Sequence, residues 1–160
     1  IEEVRTNVRR INPGCAIIEA ASPLTVSDPS LIAGKNVLVV EDGPTLTHGG
    51  MTYGAGVVAA MRYGAAELVD PRPYVTGKIA QTYATYPEIG TLLPAMGYGD
   101  EQMRDLERTI EAVECDAVVI GTPIDLTRII KIRKPTVRVG YELQEIGRPD
   151  LTELLASFTK

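Results

Sequence analysis

Residues 41 to 56 read Glu-Asp-Gly-Pro-Thr-Leu-Thr-His-Gly-Gly-Met-Thr-Tyr-Gly-Ala-Gly and hold the sequence's one histidine. Glycines at 43, 49, 50, 54 and 56 let backbone N–H groups approach an anion, and a following helix would add its dipole. Gly43, Gly49 and Gly50, with the hydroxyls of Thr45 and Thr47, are therefore candidate phosphate contacts. Equally, glycines at such positions serve turns and close helix packing. Asp42 follows a β-branched run, where a carboxylate can hold Mg²⁺ beside a substrate phosphate, act as a general base, or cap the turn at Gly43. Glu41 reads as its support. His48, flanked by Thr47 and Gly49, is expected in an exposed loop. There it can move a proton or touch a phosphate, or be a plain loop histidine.

Two further sets follow. Arg72 sits between Pro71 and Pro73 and two residues after Asp70. A stiffened guanidinium can fork onto a phosphate or carboxylate; the other reading is a pair with Asp70. Thr122-Pro123-Ile124-Asp125 has the pattern of a helix start, with Thr122 at the N-cap, Pro123 next and Asp125 at the third helical position. A helix end there can still face a ligand. Nothing matches a P-loop, because Gly34-Lys35-Asn36 and Gly77-Lys78-Ile79 lack the Ser or Thr. By itself the chain is expected not to hydrolyse ATP or GTP.

Elements must bring these residues together. Six apolar, β-branched runs recur at Cys15–Ala20, Val37–Val40, Glu67–Val69, Leu92–Met96, Ala117–Ile120 and Thr136–Val139. Most are continuous rather than alternating, as in strands buried on both faces. Helical stripes separate them: Val57, Val58 and Met61; Ile79, Tyr83 and Tyr86; and Met103, Leu106, Ile110 and Val113 on a helix from near Asp100. Another, Ile1, Val4, Val8 and Ile11, opens the chain. Leu151, Leu154, Leu155 and Phe158 form the last, after a capping box of Asp150 and Glu153. Asp28-Pro29 starts a short helix that Gly34 can end.

This alternation predicts a three-layer, Rossmann-like α/β domain with a mainly parallel sheet of five or six strands flanked by helices. Ligands bind such sheets beyond the carboxyl ends of the strands, which is where the polar residues above fall. Residues 1–35 read as the tail of an upstream nucleotide-binding domain or its joint. Residues 36–160 read as the domain itself.

The 160 residues carry 16 Lys and Arg against 21 Asp and Glu. That net charge of −5 argues against generic binding to nucleic-acid phosphates. No apolar run reaches membrane-spanning length. One histidine precludes a multi-histidine metal site. Two cysteines, Cys15 and Cys115, make a disulfide framework improbable and fit a reducing cytoplasm. No signal-type pattern opens the chain, and the helical start at Ile1 reads as a piece of a longer protein. Seven tyrosines and four methionines could supply a homo-oligomer contact, although such residues serve more often in cores.

Four strings extend these readings: Val-Glu-Asp-Gly-Pro-Thr-Leu-Thr-His-Gly-Gly-Met (40–51), Val-Asp-Pro-Arg-Pro-Tyr (69–74), Leu-Pro-Ala-Met-Gly-Tyr (93–98) and Ile-Gly-Thr-Pro-Ile-Asp-Leu (120–126). Together they resemble the carboxyl-terminal part of the cyclic 2,3-diphosphoglycerate synthases, also called predicted GTPases. The resemblance implies a missing P-loop portion that binds ATP or GTP, with Mg²⁺, and a phosphorylated small-molecule substrate. It implies nucleotide-driven closure of an intramolecular phosphoanhydride, with Asp42, His48 and Arg72 as candidate catalytic groups. The alternative is a non-catalytic module that binds an anion or a partner. The chain departs from that family at Gly140, where Arg is usual, and at Glu88, where His is common. Both departures remove cations.

Overall fold

The computed structural model describes residues 1–156 and 158. The chain divides into two compact units, one made of residues 1–23 and 141–160 and the other of residues 24–140.

The second unit is built on a six-stranded sheet. Its strands are β2 (Leu24–Val26), β3 (Asn36–Asp42), β4 (Glu67–Leu68), β5 (Leu93–Ala95), β6 (Ala117–Ile120) and β7 (Thr136–Tyr141). The order is β2-β7-β6-β3-β4, and β5 also pairs with β3. The β3–β4, β3–β5, β3–β6 and β6–β7 pairings are all parallel. On one edge of β3, Asn36 and Val37 pair with β4 while Val40 to Asp42 pair with β5. Residues 37 to 40 of β3 and 117 to 120 of β6 are buried throughout, as continuous apolar runs require.

Four helices accompany this sheet: α2 (Gly43–Gly49), α3 (Ala55–Arg62), α4 (Gly77–Thr85) and α5 (Asp100–Ala112). The α5 stripe holds, with Leu106, Ile110 and the capping Val113 buried and Met103 packed against the core. The expected α/β fold is therefore present. Short 3₁₀ turns punctuate it at Pro29–Leu31 and Leu126–Arg128. Asp28 caps the first, accepting from the Ser30 N–H at 2.9 Å, and Gly34 turns the chain away with φ +67°.

The first unit contains α1 (Glu2–Ile11), β1 (Glu19–Ala21), β8 (Gln144–Ile146) and α6 (Leu151–Leu155). β1 and β8 pair antiparallel as a separate two-stranded sheet. The run Cys15–Ala20 is thus no strand of the main sheet, and only its last two residues are strand. Its apolar character arises elsewhere: Ile17 and Ile18 face a groove beside α1. The capping box of Asp150 and Glu153 forms as expected. Neither cysteine is in a disulfide. No helix among the described residues is long and apolar enough to cross a membrane.

Candidate functional site

The register places the acidic end of β3 beside the ends of its neighbours. Glu41 lies opposite Pro94, Asp42 opposite Ala95, and the chain leaves β6 one residue after Ile120 pairs with Val40. The Gly121 N–H donates to the Val40 carbonyl at 2.8 Å, which carries the alignment past the strand end.

Glu41, read as a supporting residue, is the centre of this edge. It is only 2% exposed. Its Oε1 accepts the Val57 N–H at 2.8 Å, so it caps α3 from a neighbouring strand. A Cβ at Gly54 or Gly121 would come within 2.6 and 2.5 Å of Oε2, and one at Gly56 within 3.1 Å of Oε1. Three glycines therefore wrap one carboxylate. Burial pushes its pKa up to about 7, against the lowering effect of the bonded backbone N–H groups. An acid at the end of a wholly apolar run, followed by widely spaced glycines, is the pattern that could have revealed it.

Asp42 is half-buried at the N-cap position of α2, and its Oδ2 accepts from the Thr45 hydroxyl at 3.0 Å. Tyr98, on the loop after β5, feels that carboxylate: burial and then the Asp42 charge raise the phenol pKa. Tyr98 ends the string at residues 93–98, but the sequence alone assigned it no role of its own. Among the described residues no cluster of three or more His, Cys, Asp or Glu side chains could hold a metal. A magnesium ion at Asp42 would need substrate oxygens to complete its shell, which is how Mg²⁺ is commonly held.

The glycine-rich stretch is not the expected open loop. Residues 43–49 form α2, because Asp42 and Pro44 suit its first turn, Leu46 is buried and Gly50 leaves it at φ +62°. Gly43 is a packing glycine: a Cβ there would meet Met96 Sδ at 2.4 Å and the Ala95 carbonyl at 2.8 Å. Gly49 is the last helical residue and Gly50 its cap. His48 is exposed as expected, but in the last turn of that helix. The Thr47 hydroxyl donates to the Gly43 carbonyl at 3.2 Å and lies 3.1 Å from His48 Nδ1.

Arg72 is held internally. Nη1 reaches Asp70 Oδ1 at 3.0 Å, Nη2 donates to the Ile89 and Gly90 carbonyls, and the guanidinium carbon lies 4.9 Å from the centre of the Tyr83 ring. The Asp70 pair is thus formed, and the fork grips carbonyls. Since the Gly90 N–H donates to the Thr52 carbonyl at 2.9 Å, this network braces the segment between α2 and α3.

Thr122 does not cap a helix. It is buried, and its hydroxyl donates to the Ile124 carbonyl at 2.6 Å in a turn. Asp125 is the cap instead, accepting from the Thr127 N–H and hydroxyl, with Arg138 Nη1 at 3.6 Å. Its pKa is lowered first by the Thr127 hydroxyl.

Two grooves open beside these loops. One, of about 350 Å³, is lined by Tyr98, Met103, Arg104, Glu107 and Ile129 among others. A second, of about 380 Å³, runs past Pro123, Asp125, Arg128 and Arg138, and Ile129 lines both. Arg104, Arg128 and Arg138 were not singled out from the sequence. The edge thus offers Asp42 and Tyr98 near one groove and an acid among arginines in the next.

Along all 160 residues the chain is 56% identical to arginine synthetase ArcE of Thermococcus kodakarensis, and it spans 36% of that protein's length. No family model matches the chain. No solved structure matches it.

Proposed function

We propose that this chain is the substrate-side portion of a nucleotide-dependent synthetase, and that the product is arginine. The observation that carries the reading is 56% identity, over all 160 residues, with a synthetase of that name. The charge pattern supports it. Arginine and its precursors combine a carboxylate, an ammonium and a polar nitrogen-rich head. An edge with Asp42, Asp125, Tyr98 and separate arginines offers partners for each. Completing a guanidinium from a urea-type carbon exchanges its oxygen for nitrogen: the terminal phosphoryl group of the nucleotide would pass to that oxygen, the C–O bond would break with phosphate leaving, and the C–N bond to an incoming ammonia or amine would form as that nitrogen sheds a proton. ATP or GTP would be bound mainly by polypeptide outside these 160 residues. Asp42 would hold Mg²⁺ together with phosphate oxygens, the metal supplying electrostatic relief to the transferring group. His48 would take up a proton. Thr45 orients Asp42, and Arg72 braces the loop that follows them.

The second reading is closure of a phosphoanhydride in a bisphosphorylated acid, favoured by the four strings at residues 40–51, 69–74, 93–98 and 120–126. A polyanion is served less well here, because Arg72 is spent on carbonyls and Asp70. One experiment tests both. This chain is placed in the Thermococcus protein in place of its matched stretch. Formation of arginine and of cyclic phosphoglycerate is then assayed with ATP or GTP and Mg²⁺. Nucleotide-dependent arginine formation, reduced a hundredfold or more by Asp42→Asn at unchanged Tm, is expected. Cyclic phosphoglycerate without arginine would establish the second reading. Neither product from a folded chimera would leave the non-catalytic module.

A further inference from the structure

All of the buried hydrophobic residues lie between Ile32 and Val139. The unit made of residues 1–23 and 141–160 therefore has no buried residue among those described. It nevertheless carries apolar side chains in an ordered pattern. Ile1, Val4, Val8 and Ile11 are spaced by three, four and three residues, which sets them on one side of α1. They are 91, 66, 36 and 80% exposed. A groove of about 300 Å³ runs along the start of this stripe, floored by Ile17, Ile18, Ala20 and Ile146. Arg5 spans it, bonded to Glu2 and Glu19.

Such a unit is unfinished by physical criteria. An isolated ten-residue helix is marginal in water, and so is an isolated two-stranded ribbon. Helices gain their stability by burying an amphipathic face, and here the face is present while its cover is not. The similarity to the Thermococcus synthetase says how much polypeptide is available to cover it, since the matched stretch is only 36% of that protein.

We propose that the stripe Ile1, Val4, Val8 and Ile11, with the groove floored by Ile17 and Ile146, is an intramolecular seam: in a synthetase of the relative's length, the polypeptide outside these 160 residues packs an apolar face onto it. The covering face must bring apolar side chains to the stripe and leave the Arg5 pairs at its rim, because Arg5 is already neutralised by Glu2 and Glu19. This inference rests on the length relation and on the uncovered face, not on which product the enzyme makes.

Amide hydrogen exchange tests it. The 160-residue chain is compared, over a range of concentrations, with the chimera in which it replaces the matched stretch of the Thermococcus protein. Amides of residues 1–20 are expected to exchange at least a hundredfold more slowly in the chimera, while those of 37–40 are equally protected in both. Val4→Asp with Val8→Asp, at exposed positions that cannot disturb the buried core, should return residues 1–20 to fast exchange in the chimera. The same two substitutions at the aligned positions of the intact Thermococcus protein should also release that helix, which gives a readout independent of chimera folding. Equal exchange of residues 1–20 in chain and chimera, or an intact Thermococcus protein unmoved by the substitutions, overturns the proposal. Protection in the isolated chain that rises with concentration also overturns it, in favour of a second copy as the cover. Exchange is read without any activity, so failure here and failure of the arginine assignment are distinguishable.

Discussion

Glu41 dictates residues that lie far from it in sequence. Gly54, Gly56 and Gly121 all face its carboxylate, and Gly121 also packs on the Gly56 backbone, with a Cβ there only 2.8 Å from the Gly56 nitrogen. Gly121→Ala therefore cannot be absorbed by a flexible side chain alone. We expect it to cost about 1–3 kcal/mol, as overpacking of a tight site does. Thermal denaturation is the check, and an unchanged Tm would show that the cradle yields. The same carboxylate has a pH signature. Its folded pKa of about 7 stands above the ordinary 4.5, so between those values the folded state holds a proton that the unfolded chain has released. Stability from this group is full below about pH 4.5 and is lost as pH rises through 7. Across that window it amounts to about 3 kcal/mol. Urea titrations from pH 5 to 8 should reveal the slope, and Glu41→Gln should flatten it. A stability rising over that window in the parent, with the variant parallel to it, would contradict the assignment. Sequence alone made Asp42 the acting group and Glu41 only its support, because burial is a property of the assembled strands. Thr122 and Asp125 teach the same lesson. The Thr-Pro-x-Asp pattern signals a cap, but with Thr122 buried on the Ile124 carbonyl the cap moves to Asp125.

Elements were legible where one period dominated. The α5 stripe and the buried runs of β3 and β6 follow from spacing and continuity alone. β2 and β8 escaped because Leu-Thr-Val and Gln-Glu-Ile are three residues each and carry no run. The α2 helix was hidden by its own composition, since glycines and threonines suggest a loop until Leu46 is known to be buried. What fixes the segment after α2 is the Arg72 network. The guanidinium holds the Ile89 and Gly90 carbonyls, Tyr83 supports it, and the Gly90 N–H holds the Thr52 carbonyl. Lysine keeps the charge but has neither the fork nor the flat face. Arg72→Lys should cost about 1–2 kcal/mol in stability. An anion clamp would behave otherwise, with Tm retained and ligand affinity lost. Denaturant midpoints of the two proteins separate these outcomes, and equal midpoints would return Arg72 to the ligand.

At the scale of the whole chain, apolar burial is unevenly divided. From Ile32 to Val139 the chain holds a continuous core under a six-stranded sheet, while the terminal stretches add no buried residue among those described. Core burial is the main source of folding free energy. Removal of the terminal unit should therefore leave that source intact. We expect residues 24–140 to fold cooperatively on their own, with a Tm within about 5 °C of the 160-residue chain. A difference of that size corresponds to roughly 1 kcal/mol in a domain of this length. The backbone bond from the Glu142 N–H to the Pro23 carbonyl is removed together with both of its partners. The converse piece, the terminal stretches joined by a short linker, should not fold, because a ten-residue helix and a two-stranded ribbon do not close a core. Calorimetry of the three proteins decides the matter. A loss of 15 °C or more on trimming to 24–140 would mean that the terminal unit stabilises the sheet directly, and that its apolar residues serve this core rather than another.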